Sequence, residues 1–309
     1  MRVIGVTEFG GPEALGVHEV EDPHAGPGEV RIRVAAAAVN PTDAGVRGGM
    51  RDPGGLPAPW VAGMDAAGVV DEVGDGAPFA IGDRVMAIAL PLRERGGADA
   101  ELLVGPWESM AAVPAGASLE EASTLPMNGL TAVQILERLA LPSGAVLAVT
   151  GAAGWLGNLL VPLAKLDGLH VIADAKEEDR ALVAGLGADE LVERGDGVAE
   201  RIRALAPSGV DAIADLSLQQ EALLPAVRDG GRFISVRGWQ GVATRGIEFL
   251  TAAVFEEYRS HEKLDRLRSL AEQGVLVPRV AEALPAERAA EAHRRMEAGG
   301  VRGRLVLTF

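Results

Sequence analysis

The sequence predicts an α/β protein in two parts, a compact barrel-like β unit and a doubly wound parallel sheet. Three observations carry that prediction. The first third holds short, closely spaced apolar or alternating runs, strand and helix patterns alternate regularly from residue 145 onward, and a glycine-rich turn, GAAGWLG, stands at 151–157. With 309 residues, 48% of them hydrophobic and only 4% aromatic, the chain can bury a large core in one or two domains.

Taken in order, Glu29–Val39, Ala66–Gly74, Gly82–Leu90 and Asp99–Val104 are bounded by Gly, Pro and Asp and read as strands. Ser118, three residues before Glu121, has the spacing of a capping box; the helical pattern it opens breaks at Pro126 and resumes from Thr131. Strands follow at Ala145–Thr150, His170–Ala173, Val210–Asp215 and Arg232–Val236, with helices at Leu156–Asp167 and Glu177–Leu186 between them. Two surface helices, Lys263–Gly274 and Ala286–Gly299, and a strand, GRLVLTF, close the chain. This layout inserts a nucleotide-binding domain, residues 122–261, between two parts of a β-rich domain, 1–121 and 262–309.

Composition narrows the function. A formal charge of −15 argues against a general nucleic-acid or anionic-membrane binder, yet leaves room for a local basic site. The absence of cysteine removes disulfides, thiolate nucleophiles and cysteine-ligated zinc together. His18, His24, His170, His261 and His293 form no pair spaced for one helix face, so no metal site is expected. No signal-peptide core and no membrane-spanning apolar run is present, which makes the cytoplasm the expected location.

The glycine turn discriminates between two kinds of phosphate site. A P-loop needs Lys and Ser or Thr after its last glycine, and Gly157 is followed by Asn158 and Leu159. In the dinucleotide fingerprint Gly154 and Gly157 match the second and third glycines, and Ala152 replaces the first. A plain βα turn would use the same glycines, but the flanking β-α-β-α pattern favours the dinucleotide. Cofactor choice is written at the end of the next strand. Lys176 lies 19 residues beyond Gly157 and Arg180 one helical turn later, a pair suited to the 2′-phosphate of NADPH. Asp174, 17 residues beyond Gly157, is the competing carboxylate that a small shift of register would assign to NAD.

Several segments resemble the medium-chain dehydrogenase/reductase superfamily, specifically its zinc-independent quinone oxidoreductase (zeta-crystallin-like) branch. They are AAAAVNPTDAGVRGG, GMDAAGVVDEVGDGAPFAIGDRV, LPMNGLTA, GAAGWLG and AHRRMEAGGVRGRLVL, spread nearly end to end. The resemblance implies a GroES-like β-barrel catalytic domain and a Rossmann cofactor domain, with the active site in the cleft between them. It implies hydride transfer from NADPH, with NADH less favoured, to a quinone or α,β-unsaturated carbonyl. It also implies a homodimer in which GIEFLTAAVFEE supplies an edge strand, the alternative being a buried internal strand.

By the same resemblance Asn40 donates its amide to a developing oxyanion and Thr131 positions the nicotinamide, while Asp43 and Arg47 border the substrate mouth or form a structural ion pair. The cofactor residues are Ala152, Ala153, Gly154, Trp155, Leu156 and Gly157 of the loop, then Lys176, Arg180 and Arg194, then Ser235 and Gly238 after the last strand. Met64 stands where zinc-dependent relatives place a histidine. One departure concerns the acceptor: the branch carries tyrosines around Gly45 and Arg51, whereas the only tyrosine here is Tyr258, leaving Trp60, Trp155 or Trp239 as replacements. Trp155 occupies a variable position of the fingerprint and is expected to face the cleft or the domain seam rather than the phosphates. An enoyl-thioester reductase and a non-catalytic NADPH-binding redox sensor are the competing functions.

Overall fold

Short apolar runs, some alternating with polar side chains, set the first strands. In the computed structural model, which describes residues 1–309, these are β1 (Arg2–Val6), β2 (Gly16–Glu19), β3 (Glu29–Ala38), β4 (Trp60–Val61), β5 (Asp65–Val73), β6 (Arg84–Ile88), β7 (Leu102–Pro106) and β8 (Met110–Ala112), with α1 (Pro41–Arg47) after β3. Along β3, Val30, Ile32 and Val34 point into a core shared with Val70, Val85, Leu103 and Met110.

Helix α2 (Leu119–Ala122) begins with the capping box read from its spacing: Ser118 Oγ accepts from Glu121 N at 3.1 Å, and the Glu121 carboxylate accepts from Ser118 N at 2.9 Å. The next helix departs from expectation. Pro126 does not interrupt it but opens α3 (Pro126–Leu139), because the first position of a helix has no intrahelical use for the missing N–H.

The alternating segment follows as β9 (Val146–Thr150), α4 (Trp155–Leu166), β10 (His170–Ala175), α5 (Arg180–Gly185), β11 (Glu190–Glu193), α6 (Val198–Leu205), β12 (Val210–Asp215), β13 (Val227–Ser235) and β14 (Glu248–Thr251). The chain then returns through α7 (His261–Glu272), β15 (Val280–Pro285), α8 (Ala289–Ala298) and β16 (Arg304–Thr308). Contacts divide it into two units, 1–127 with 257–309 and 128–256, against expected divisions after 121 and 261.

In the first unit one sheet runs β15-β16-β3-β5-β6-β8, with β7 also on β3, and a smaller one runs β2-β1-β4. In the second unit six parallel strands run β11-β10-β9-β12-β13-β14. This is the doubly wound order, reversing between β9 and β12, where such sheets bind ligands beyond their carboxyl ends. Between β12 and β13 the crossover is a 3-10 segment, Gln220–Ala226, with Pro225 inside it. Strand β14 is at the edge of the sheet, not inside it. The GroES-like and Rossmann architectures expected from the sequence are both present.

Candidate functional site

The cofactor loop is shaped by two glycines, each for its own reason. Gly151 has φ +75°, the left-handed conformation that turns the chain out of β9. A Cβ on Gly157 would stand 2.5 Å from both the Cα and the carbonyl oxygen of Ala152, so only glycine lets α4 approach the loop this closely. Asn158 Nδ2 ties helix to loop by donating to the carbonyls of Ala152 at 3.1 Å and Gly154 at 2.9 Å. Gly154 is the N-cap of α4 and Trp155, buried, its first residue. The open N–H groups of that helix end suit a pyrophosphate. The sequence reading assigned the first fingerprint position to Ala152; the turn itself is made by Gly151, one residue earlier, where a strand-ending threonine meets a glycine.

Asp174 is drawn into this loop. Its Oδ1 accepts from Gly151 N at 2.6 Å and Ala152 N at 3.2 Å, and its Oδ2 stands 4.0 Å from Arg194 Nε. Burial raises its pKa, opposed by the Ala152 N–H, the Arg194 charge and the Gly151 N–H. Lys176 is exposed and Arg180 half-buried, and both are only loosely matched, to Glu178 at 3.8 Å and Glu177 at 3.9 Å.

At the strand-order reversal, Asp215 at the end of β12 accepts from Thr150 Oγ1 at 2.9 Å, Ser217 N at 3.2 Å and Gln220 N at 2.8 Å. The loop beyond it holds Leu218 and Gln220 at φ +62° and +53°, rare conformations for residues with side chains. The sequence reading missed Asp215, although its place at a strand end was visible. Ser235 ends β13 with its hydroxyl buried and without a hydrogen-bond partner, Gly238 adopts φ +70° with open space around it, and Thr131 lies buried on α3.

In the first unit the structure gathers Asn40, Asp43 and Asp65. Asn40 Nδ2 donates to Ala38 O at 3.0 Å and to Asp65 Oδ2 at 2.7 Å, while its backbone N donates to Asp43 Oδ2 at 2.7 Å. The other oxygen of Asp65 accepts from Met127 N at 2.7 Å. A carbonyl and a carboxylate both require a donor, so the amide orientation is fixed and both its hydrogens are committed within the protein. Donation to a substrate would have to displace one of these two bonds. Asp65 itself escaped the sequence reading, although it sits in the GMDAAG signature.

Burial pushes the Asp65 pKa up to about 7 despite the Met127 N–H, the Asn40 amide and Arg304. Asp43 is raised by burial and by the charge of Asp99, whose two carboxylate oxygens have no hydrogen-bond partner. Arg304, half-buried and facing Asp65 and Asp43, is lowered to about 10 by desolvation.

Asp43 and Arg47 do not line an open mouth and do not pair with each other. Asp43 is fully buried, and Arg47, 5% exposed, donates to Gly10 O at 3.1 Å and to Glu297 at 2.6 Å and lies 3.3 Å from His293 Nδ1. His293 is held neutral, its pKa pushed down to about 4 by burial and by Arg47. Arg47 therefore fastens α1 to Gly10 and α8.

Of the tryptophans named as aromatic replacements, only Trp60 belongs to the first unit. It stacks on Phe9 at 4.5 Å, donates to Leu56 O at 2.9 Å, and lines a cavity of about 550 Å³ with Leu56, Pro57 and Pro59. Trp239 packs in a cluster with Phe233 and Phe249 in the second unit.

Residues 26–131 match the family model of the alcohol dehydrogenase GroES-like domain, and residues 186–307 that of the zinc-binding dehydrogenases. A 2-haloacrylate reductase from Burkholderia sp is 31% identical over 96% of this chain and 96% of its own. A quinone oxidoreductase from Rattus norvegicus is 29% identical over 99% and 97%. Among solved structures, an NAD-dependent alcohol dehydrogenase superposes with a TM-score of 0.88 at 33% identity, covering 100% of both chains. A mycobacterial protein complexed with NADPH does so at 0.86 and 27% identity, again covering 100% of both.

Proposed function

Because the chain belongs to the medium-chain dehydrogenase/reductase superfamily and is an oxidoreductase, we propose that it reduces a quinone or an α,β-unsaturated carbonyl with NADPH and without a metal. The observation that carries the cofactor choice is the position of Asp174. The carboxylate that could hold an NAD ribose is turned onto the Gly151 and Ala152 N–H groups and faces Arg194, which leaves Lys176, Arg180 and Arg194 for a 2′-phosphate.

The loop residues fit a dinucleotide, whose reduced nicotinamide supplies a hydride when bound. The chain's own part is binding and orientation. The N-terminus of α4 and residues 152–157 hold the pyrophosphate, Ser235 at the end of β13 and Gly238 just beyond it offer contacts, and Thr131 orients the nicotinamide ring. Asn40, braced by Asp65, faces the acceptor; a developing oxyanion, a stronger acceptor than a carbonyl, takes over the N–H now given to Ala38. Met64 in the place of a ligating histidine supports the metal-independent reading.

The names of the haloacrylate and quinone relatives support an electron-poor acceptor. The edge position of β14 supports a homodimer formed by strand pairing. No helix is long and apolar enough to cross a membrane, and a cytoplasmic location goes with this reading.

The test follows NADPH and NADH absorbance with purified protein and a panel of quinones, enones, aldehydes and enoyl thioesters. NADPH oxidation by a quinone or enone is expected, with Lys176→Ala lowering the preference for NADPH about tenfold, as loss of one phosphate contact should. A preference for NADH would refute the role given to the basic trio, and NADPH binding without oxidation by any acceptor would refute the activity.

A further inference from the structure

We propose that Asp215 is a positioning residue for the dinucleotide: it locks the strained loop 216–220 against the glycine turn, ready to meet the nicotinamide half. The proposal rests on the dinucleotide reading above.

Thr150, Asp215 and Ser235 stand in one register row at the carboxyl ends of the neighbouring strands β9, β12 and β13. The strand order reverses between the first two, so a dinucleotide lying across that point must pass the loop that leaves β12. With its 2′-phosphate at Lys176 and Arg180, beyond β10, the half that reaches β12 is the nicotinamide one. The loop starts in contact with the glycine turn. Leu216 N donates to Thr150 O at 3.1 Å, and a Cβ on Gly151 would stand 3.2 Å from the Leu216 carbonyl carbon. Ser235 closes the row with a buried hydroxyl that has no partner in the protein, a group left for a ligand to satisfy.

The loop does not hold its shape unaided. Leu218 and Gln220, at φ +62° and +53°, lie in the left-handed region that is unfavourable for a residue with a Cβ. Residues 216–220 are each only half-buried, so core packing does not impose this shape. Asp215, fully buried, does. Its Oδ1 accepts from Thr150 Oγ1 at 2.9 Å, Ser217 N at 3.2 Å and Ser217 Oγ at 3.3 Å, and its Oδ2 from Gln220 N at 2.8 Å. Gln219 Nε2 extends the network by donating to Ser217 Oγ at 2.8 Å. Only a carboxylate can accept from all of these neutral donors; an amide in its place turns an NH₂ toward one of them. Once that grip is lost, strain draws the loop back toward negative φ, away from the ligand's path.

The experiment titrates NADPH by fluorescence and 2′,5′-ADP, its adenosine half, by calorimetry. It compares wild type, Asp215→Asn, and Asp215→Asn combined with Leu218→Gly and Gln220→Gly. Asp215→Asn should weaken NADPH about tenfold, the factor by which strain of this kind biases an equilibrium. Binding of 2′,5′-ADP should stay within about twofold. Glycine adopts positive φ without strain, so the triple variant should recover most of the loss, which a merely structural aspartate would not allow. Thermal melting checks that each variant is folded. If Asp215→Asn is not, Gln220→Pro, confined to the half-buried loop, removes the N–H that Asp215 holds, forces φ negative and should give the same selective loss. Unchanged NADPH affinity, an equal loss of both ligands in a folded variant, or no recovery with glycine overturns this proposal while leaving the dinucleotide reading intact. A wild type that prefers NADH refutes only the basic trio, and NADH with AMP then makes the same comparison. A wild type that binds neither dinucleotide overturns both.

Discussion

Asn40 Nδ2 meets Asp65 Oδ2 at 2.7 Å where neither residue has exposed surface. The same carboxylate takes Met127 N, so one buried anion orders the amide at the start of α1 and the first turn of α3. In the proposed reaction Asp65 is thus a positioning residue, acting through Asn40.

Replacing Asp65 with Asn should separate these duties. The new amide turns an NH₂ toward either Asn40 Nδ2 or Met127 N, and a donor facing a donor leaves a buried group unsatisfied, at about 1–3 kcal/mol. Thermal melting should fall accordingly, and kcat/KM for the acceptor should drop at least about tenfold, as when a preorganised donor is misplaced. Affinity for NADPH, titrated by fluorescence, should stay within about twofold, the ordinary effect of a change remote from a ligand.

Asp99 makes stability depend on pH. Burial lifts its pKa above the ordinary carboxylate range, as it does for Asp65. A raised folded pKa means that the native state holds protons the unfolded state has released. The stabilisation is complete below the unfolded value and is lost as pH rises through the folded one, here between about 4 and 7. Asp99→Asn should therefore be more stable than wild type at pH 8, by about 1–3 kcal/mol, with a smaller decline between pH 4 and 7. Urea denaturation of both proteins across that range measures the difference, and equal pH slopes would contradict the assignment.

Arg47→Ala should separate structure from substrate binding. It removes the bonds to Gly10 and Glu297 from a buried cation, a loss of about 2–4 kcal/mol seen as a lower melting temperature. Acceptor KM should remain within about twofold, since the guanidinium faces the protein and not a binding surface. A large KM change without destabilisation would return Arg47 to the substrate mouth.

Gly157→Ala places a methyl group against the Ala152 backbone, which cannot move aside as a side-chain tip could. Strain of about 1–3 kcal/mol should push α4 from the loop and weaken NADPH binding at least about tenfold, measured by fluorescence titration.

What could be read from the sequence was what repeats or what depends on neighbours along the chain. The alternation from Val146 to Ser235 carried the doubly wound sheet, and the Ser118–Glu121 spacing carried the cap of α2. The burial of Arg47 could not be read, because its partner Glu297 lies at the other end of the chain and a spacing of four to Asp43 offered a nearer candidate. Asp65 was hidden for a similar reason: a carboxylate opening a mostly apolar strand shows its meaning only when Asn40 and Met127 are brought to its two oxygens. Asp174 was ambiguous because its residue type fits either cofactor, and only its bonds to Gly151 and Ala152 show which way it faces.

The place of β16 has a consequence for the order in which the protein matures on the ribosome. Residues 128–256 are continuous and can complete their sheet as soon as they emerge. The first unit cannot, because β16 lies between β15 and β3 and reaches it only after the whole second unit has been synthesised. Until then β3 keeps an open edge between Ala36 and Ala38, directly before Asn40. The nascent chain therefore has a finished second unit before the sheet leading into Asn40 is complete, and deletion of the final strand should yield a protein whose second unit folds yet which aggregates through that edge.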